Sequence, residues 1–165
     1  MADATDDKFA QKQQEPLFMA ISNADAEFQS AYARASATLP RFIEHIKSDS
    51  KAFYSAKLRF RDPDESERLG EDRFVFLWLT GVHYHNAERV FSAGFFEVPP
   101  ELQKWHHVGE RLAFEGEDIF DWMVLTEDGR LFGGFTLRTS RSKLPESQRA
   151  AYDRYIGVRI YEPDV

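Results

Sequence analysis

The chain has 165 residues, enough for one domain with a sizeable core, and carries 28 Asp and Glu against 21 Lys and Arg for a net charge of −7. It contains no cysteine, which excludes disulfides, thiol nucleophiles and thiolate metal sites. The start MADATDDKFAQKQQEP lacks the basic segment and apolar run of a signal peptide, and no apolar run approaches the ~20 residues of a membrane span, so a soluble, cytoplasmic protein is expected.

Aromatic residues supply much of the apolar content, with 15 Phe, 6 Tyr and 3 Trp, and an aromatic-rich core follows. Charge is uneven. Residues 1–129 hold 14 Lys and Arg against 24 Asp and Glu, about −10, while 130–165 hold 7 against 4, or +3. An acidic field of this kind disfavours nucleic acid and either favours a basic partner or serves solubility alone.

Taken in order, residues 1–20 read as a mobile polar tail ahead of a single domain over 21–165. Ser22 or Asn23 is placed to cap a helix that runs to about Ala37, with Phe28, Tyr32 and Ala35 as its apolar stripe. Thr38 caps a second helix with Pro40 in its first turn and Leu39, Phe42, Ile43 and Ile46 along one side, ending near Ser48. Residues 52–60 alternate. Ala52, Tyr54, Ala56, Leu58 and Phe60 point to a core, whereas Ser55, Lys57 and Arg59 point to solvent. A charged loop over 61–72 leads to an apolar central strand over 73–82. A third strand over 89–98 has Gly94 as a possible bulge, and Pro99-Pro100 ends it. The stretch ELQKWHH reads as a helical turn or loop, and Arg111 to Phe114 as a fourth strand.

Residues 118–137, DIFDWMVLTEDGRLFGGFTL, read as a β-hairpin turning at Glu127-Asp128-Gly129, with its second strand running from Leu131 to Leu137 and Gly133-Gly134 inside it. A glycine pair within a strand implies a bulge or a close backbone approach. RTSRSK then forms a basic linker, PESQRAAYDRY a helix opened by Pro145 and stopped by Gly157, and VRIYEP a short edge strand. The class expected is α+β: a single twisted antiparallel sheet of about five to six strands, two N-terminal helices and one C-terminal helix.

The chemistry-bearing residues are few. His83, His85, His106 and His107 have no third ligand placed by spacing, so no metal site is expected. The acidic run Glu110, Glu115, Glu117, Asp118 and Asp121 offers a general acid–base pair, with Asp121 beside Trp122; the competing reading is that Asp118 and Asp121 cap backbone N–H groups. Gly133-Gly134-Phe135-Thr136 lacks the lysine and spacing of a phosphate loop, and no nucleophile elbow occurs, so neither cofactor nor catalytic residue is assigned. The basic run Arg138, Arg141, Lys143, Arg149 and Arg154, diluted by Glu146 and Asp153, reads as solvated helix faces and ion pairs.

The order of these features, with D-W-M at 121–123 followed by G-R-L-F-G-G-F-T at 129–136, resembles the YegJ-like family of bacterial domains of unknown function, over roughly residues 25–160. KWHHVGERLAF and the tail are similar to a longer subgroup of it. The resemblance implies a small intracellular α+β domain with no assigned activity, of a kind also found beside interaction modules, and marks Asp121, Trp122, Gly133, Gly134 and Thr136 as motif positions.

The expected function is that of a small protein-binding domain, in one version an immunity protein or inhibitor of a basic toxin domain, with Trp105, His106, Glu115, Glu117, Asp118, Asp121, Gly133 and Gly134 as binding residues. The alternative is a small-ligand binder or enzyme built from Trp105, His106 and His107 with Asp118 and Asp121. Neither nucleic acid nor membrane is an expected partner.

Overall fold

The computed structural model describes residues 26–48 and 50–163. Two helices, α1 (Ala26–Ala37) and α2 (Leu39–Lys47), precede β1 (Ala52–Arg61). A short helix α3 (Pro63–Leu69) leads to β2 (Phe74–His85), β3 (Val90–Gly94) and, after a long excursion, β4 (Arg111–Phe114). The hairpin β5 (Ile119–Thr126) and β6 (Arg130–Gly133) is followed by α4 (Phe135–Ser142), α5 (Glu146–Ile156) and β7 (Ile160–Tyr161). The seven strands form one sheet in the order β4-β3-β2-β1-β5-β6-β7, antiparallel except for the parallel pair β6–β7.

The mixed class and single sheet agree with the sequence, but the counts and several segments do not. Among the described residues, five helices and seven strands stand where three and five to six were expected. The charged loop contains α3: Asp62 accepts the Glu65 N–H at 3.1 Å, Pro63 occupies the first turn and the Gly70 N–H closes the end on Ser66 O. This helix is only seven residues long and mostly charged, so its capping residues announce it and its apolar pattern does not. β2 extends to His85, and its register with β3 shifts between Thr80 and His83, placing the irregularity there instead of at Gly94. β3 stops at Gly94. β6 stops at Gly133, and residues read as strand and linker, FTLRTSRS, form α4. The proposed caps Ser22 and Asn23, and the tail 1–20, lie outside the described residues.

One face of the sheet, here the inner face, carries the core. Ala56, Leu58, Leu79, Val82, Ala93, Trp122 and Val124 are buried there beneath Phe42 of α2 and the alanines Ala31 and Ala35 of α1. Small residues on α1 let that helix approach closely, and it packs along β5 and α4. Stacked rings run across the layer. Trp122 lies on Phe42 (5.2 Å between centroids), Phe42 on Phe91 (6.0 Å) and Phe91 on Phe114 (5.8 Å), while Phe135 meets Trp122 edge-on at 5.8 Å. Such pairs contribute beyond their buried area. The Trp122 indole N–H donates to Thr38 Oγ1 at 3.1 Å, tying β5 to the α1–α2 junction. Thr38 stands at the start of α2 without capping it, and its hydroxyl instead donates to Arg34 O at 2.7 Å.

Candidate functional site

Two places gather the side chains that bear chemistry. The first is built on the motif. Ser55 and Lys57, which strict alternation assigns to solvent, are buried together with Asp121, whose relative exposure is 0%. Lys57 and Asp121 are direct partners in the β1–β5 ladder. The Asp121 carboxylate accepts the Trp122 N–H at 2.8 Å and the Phe135 N–H at 3.2 Å on one oxygen. On the other it accepts the Thr136 N–H at 2.8 Å and the Thr136 hydroxyl at 2.5 Å. Phe135 and Thr136 are the first residues of α4, whose preceding residue, Gly134, has no side chain to cap with. Asp121 therefore caps α4 from the neighbouring strand, supplying the acceptor and the negative charge that a helix N-terminus favours.

The glycine pair belongs to the same arrangement. A Cβ on Gly133 would lie 2.4 Å from Trp122 O and 2.7 Å from the indole ring, so only glycine fits, at φ 69°. The Gly134 N–H donates to Trp122 O at 2.7 Å. Close backbone approach, expected of a glycine pair, is observed, but at the end of a strand.

Lys57 completes the cluster. Its ammonium donates weakly to Thr136 Oγ1 at 3.4 Å and lies 5.7 and 5.9 Å from the ring centres of Phe76 and Trp78. Burial pushes Lys57 down to about 8 against the opposing pull of Asp121, so it stays charged at neutral pH. Burial raises Asp121, against the Thr136 hydrogen bonds and the Lys57 charge. Tyr32 of α1 stacks on Phe76 at 5.9 Å, and its buried hydroxyl has no hydrogen-bond partner among the described residues.

The second place is the excursion between β3 and β4. It is closed at its base by Phe95 N–H to Glu110 O and Gly109 N–H to Phe95 O, both 2.9 Å, and anchored by buried Leu102. His106 packs against Phe95 (4.8 Å) and Phe60 (5.7 Å), and its Nδ1 pairs with Glu110 at 2.7 Å. That hydrogen bond holds the Glu110 carboxyl below its usual range. With the base fixed, three large apolar side chains point outward: Phe96 (73% exposed), Trp105 (45%) and Val108 (64%). Lys104 reaches across to Asp64 of α3 at 2.5 Å. Between the excursion and α3 lies a pocket of about 250 Å³ lined by Asp62, Asp64, Glu65, Pro100, Glu101, Lys104 and Trp105.

The residues singled out from the sequence are thus divided. Trp105 and His106 belong to the excursion, one outward and one packed inward. Asp121, Gly133 and Gly134 belong to the buried cluster. Glu115, Glu117 and Asp118 form an exposed turn before β5, where the Asp118 carboxylate accepts the Glu115 N–H at 2.9 Å within a capping box. Asp118 and Asp121 thus each cap backbone N–H groups. His83 and His85 lie on the outer face of β2, with His85 Nε2 2.9 Å from Ser92 Oγ. Sequence reasoning missed Lys57, because alternation predicts only two faces and not the helix that covers one of them. It also missed Phe96 and Val108, although adjacent Phe95 and Phe96 cannot both face one core.

The family model for an uncharacterized protein conserved in bacteria, DUF2314, matches residues 25–160. The chain belongs to that family. A putative ankyrin repeat protein of Neisseria meningitidis serogroup B is 23% identical over 149 residues, covering 87% of this chain. The chain spans about half of that relative's length, 56%. No solved structure matches the chain closely enough to count as related. No described helix is long and apolar enough to cross a membrane.

Proposed function

We propose that this family member is a protein-binding domain whose contact surface is the excursion together with α3, and whose partner presents a basic surface. The observation that carries this reading is the outward display of Phe96, Trp105 and Val108 within one short, base-anchored segment. Apolar side chains grouped in this way mark interaction sites, and an exposed tryptophan is the residue type most often found as an anchor. Asp64, Glu65, Glu97 and Glu101 lie on α3 and along the excursion, and a rim of one sign accelerates encounter with the opposite sign. Similarity to an ankyrin repeat protein is in keeping with an interaction role, since stacked repeats build binding surfaces.

Neutralisation of a basic bacterial toxin domain is the specific version of this proposal, because a small acidic domain is suited to cover a basic cleft. A cytoplasmic setting, which the cysteine-free composition fits, and the YegJ-like naming of the family belong to the same proposal. Affinity capture from the host with the wild-type chain, Trp105→Ala and Glu117→Lys in parallel is the test. The wild type and Glu117→Lys should retain a basic partner that Trp105→Ala releases. Capture unaffected by Trp105→Ala and by Phe96→Ser would overturn the assignment of the surface.

A further inference from the structure

We infer that the free edge of β4 captures the basic partner by strand addition, pairing with an extended segment that carries Lys or Arg at alternate positions. This capture rests on the contact surface proposed above and names the form in which the partner meets it. β4 is the last strand on its side of the sheet and pairs only with β3. The Phe95 N–H donates to Glu110 O at 2.9 Å, and hydrogen-bonded pairs in an antiparallel ladder recur at every second residue. Leu112 and Phe114, opposite Ala93 and Phe91, therefore turn their backbone groups to β3, and the N–H and C=O groups of Arg111 and Ala113 point away from the sheet. Those groups have no partner among the described residues, and both residues are exposed.

Strand edges are commonly guarded by a charged side chain or a covering segment. Here the one charge on β4 is turned away, because Arg111 reaches across β3 to donate to Gly81 O at 2.9 Å and to Ser92 Oγ at 3.2 Å. The chain's own bonds close both ends of the edge: Gly109 N–H to Phe95 O and Glu115 N–H to Asp118 Oδ2, each 2.9 Å. Between them lies a short template of outward donors and acceptors, the kind to which an extended peptide adds as a further strand. Charge selects the occupant. Glu97, Glu115, Glu117 and Asp118 stand exposed beside the two ends of β4 and make no ion pair among the described residues. They would repel the same edge of a second copy and attract a basic segment. Phe96 and Val108, where the excursion enters β4, offer apolar contact to the same segment. The opposite edge strand, β7, has only two residues.

The test is fluorescence anisotropy of a labelled peptide of about seven residues alternating lysine and valine, the length of a short strand, titrated with the full chain at low salt. Binding should be saturable. Two N-methylated versions, each blocked at one set of alternate residues, separate strand addition from bare charge, because only one set can face β4. One version should bind as the parent does, and the other should lose about tenfold or more. Ala113→Pro removes an outward N–H that the fold does not use, at an edge where proline is tolerated, and should lose binding to a similar extent with little change in melting temperature. Should that variant melt early, the methylated pair decides alone. No saturable peptide binding overturns the inference, as does equal binding of the two methylated versions. A wild-type dimer that Ala113→Pro dissociates also overturns it, by giving the edge to a second copy. Partner capture with Ala113→Pro and Trp105→Ala in parallel separates strand addition from the surface beneath it. A basic partner kept by Ala113→Pro and released by Trp105→Ala overturns strand addition alone, whereas capture of no basic partner by the wild type overturns the surface itself.

Discussion

The buried cluster under α4 and the excursion beyond β3 both set a carboxylate near a tryptophan, and they differ in where hydrogen bonds and rings go. Around Asp121 four donors converge on one carboxylate, and the neighbouring Trp122 ring is closed in by Phe42 and Phe135. Around Trp105 the polar groups settle the base of the segment and leave the ring in solvent. A dense motif thus marks the part of this chain that must be built one way, and the sparser segment marks the part free to meet something else. Function is more often carried by such a supported loop than by the packed element beneath it.

Breaking the first region should have the largest effect. Asp121→Ala leaves the Lys57 charge uncompensated and the first N–H groups of α4 without acceptors, a loss on the order of 4 kcal/mol in urea denaturation. If the uncompensated charge is the main cause, Lys57→Met combined with Asp121→Asn should lose less than the sum of the single variants. Trp122→Ala should cost about 3–5 kcal/mol by emptying the centre of the aromatic layer. A melt that barely moves for Trp122→Ala would show that the hairpin is not the packing centre.

A pH series sharpens the same contrast. Unfolded Lys57 keeps its proton up to about pH 10.5, whereas the folded residue releases it near 8. Between these values the unfolded chain binds more protons, so stability rises with pH, by about 2–3 kcal/mol from pH 8 to 10. Below pH 8 this contribution is absent. Above pH 10 tyrosines oppose it, because burial pushes Tyr152 up to about 12 and Tyr32 and Tyr161 further while their unfolded counterparts ionise. Urea titrations of Lys57→Met should lack the rise. A wild-type profile flat from pH 8 to 10 would count against a buried, charged Lys57.

The smallest stability effect belongs to the excursion. Trp105→Ala should change stability by less than about 1 kcal/mol, since the ring is already half in water. In surface plasmon resonance against the captured partner the same variant should dissociate faster, whereas reversal of Glu97 or Glu101 should slow association in a salt-dependent way. A large loss of stability in Trp105→Ala would place that ring in the core.

Much of the fold was legible because local signals agreed with the tertiary outcome. The alternation of 52–60, the Pro40 helix start, the four-residue strand at Arg111 and the turn at Gly129 all correspond to observed elements. The segment after Gly134 was not legible. FTLRTSRS has no strong helical stripe and no capping side chain of its own, and its cap comes from Asp121, fourteen residues earlier. Lys57 was misplaced for a related reason: a ladder fixes which face a side chain takes, but whether α4 covers that face is a long-range fact. At the excursion, Trp105 was legible as a candidate, but its outward position depends on Leu102 and His106 being packed inward.

The contrast between the two regions is tested most directly by residue-resolved amide hydrogen exchange of the free protein. The Phe135 and Thr136 N–H groups, both held by the Asp121 carboxylate, should exchange only through global unfolding, with the same free energy as urea denaturation. Amides of residues 96–108 should exchange through local opening at far lower free energy. Equal, rapid exchange at Phe135, Thr136 and the excursion would contradict the account, because the motif would then not be the fixed part of the fold.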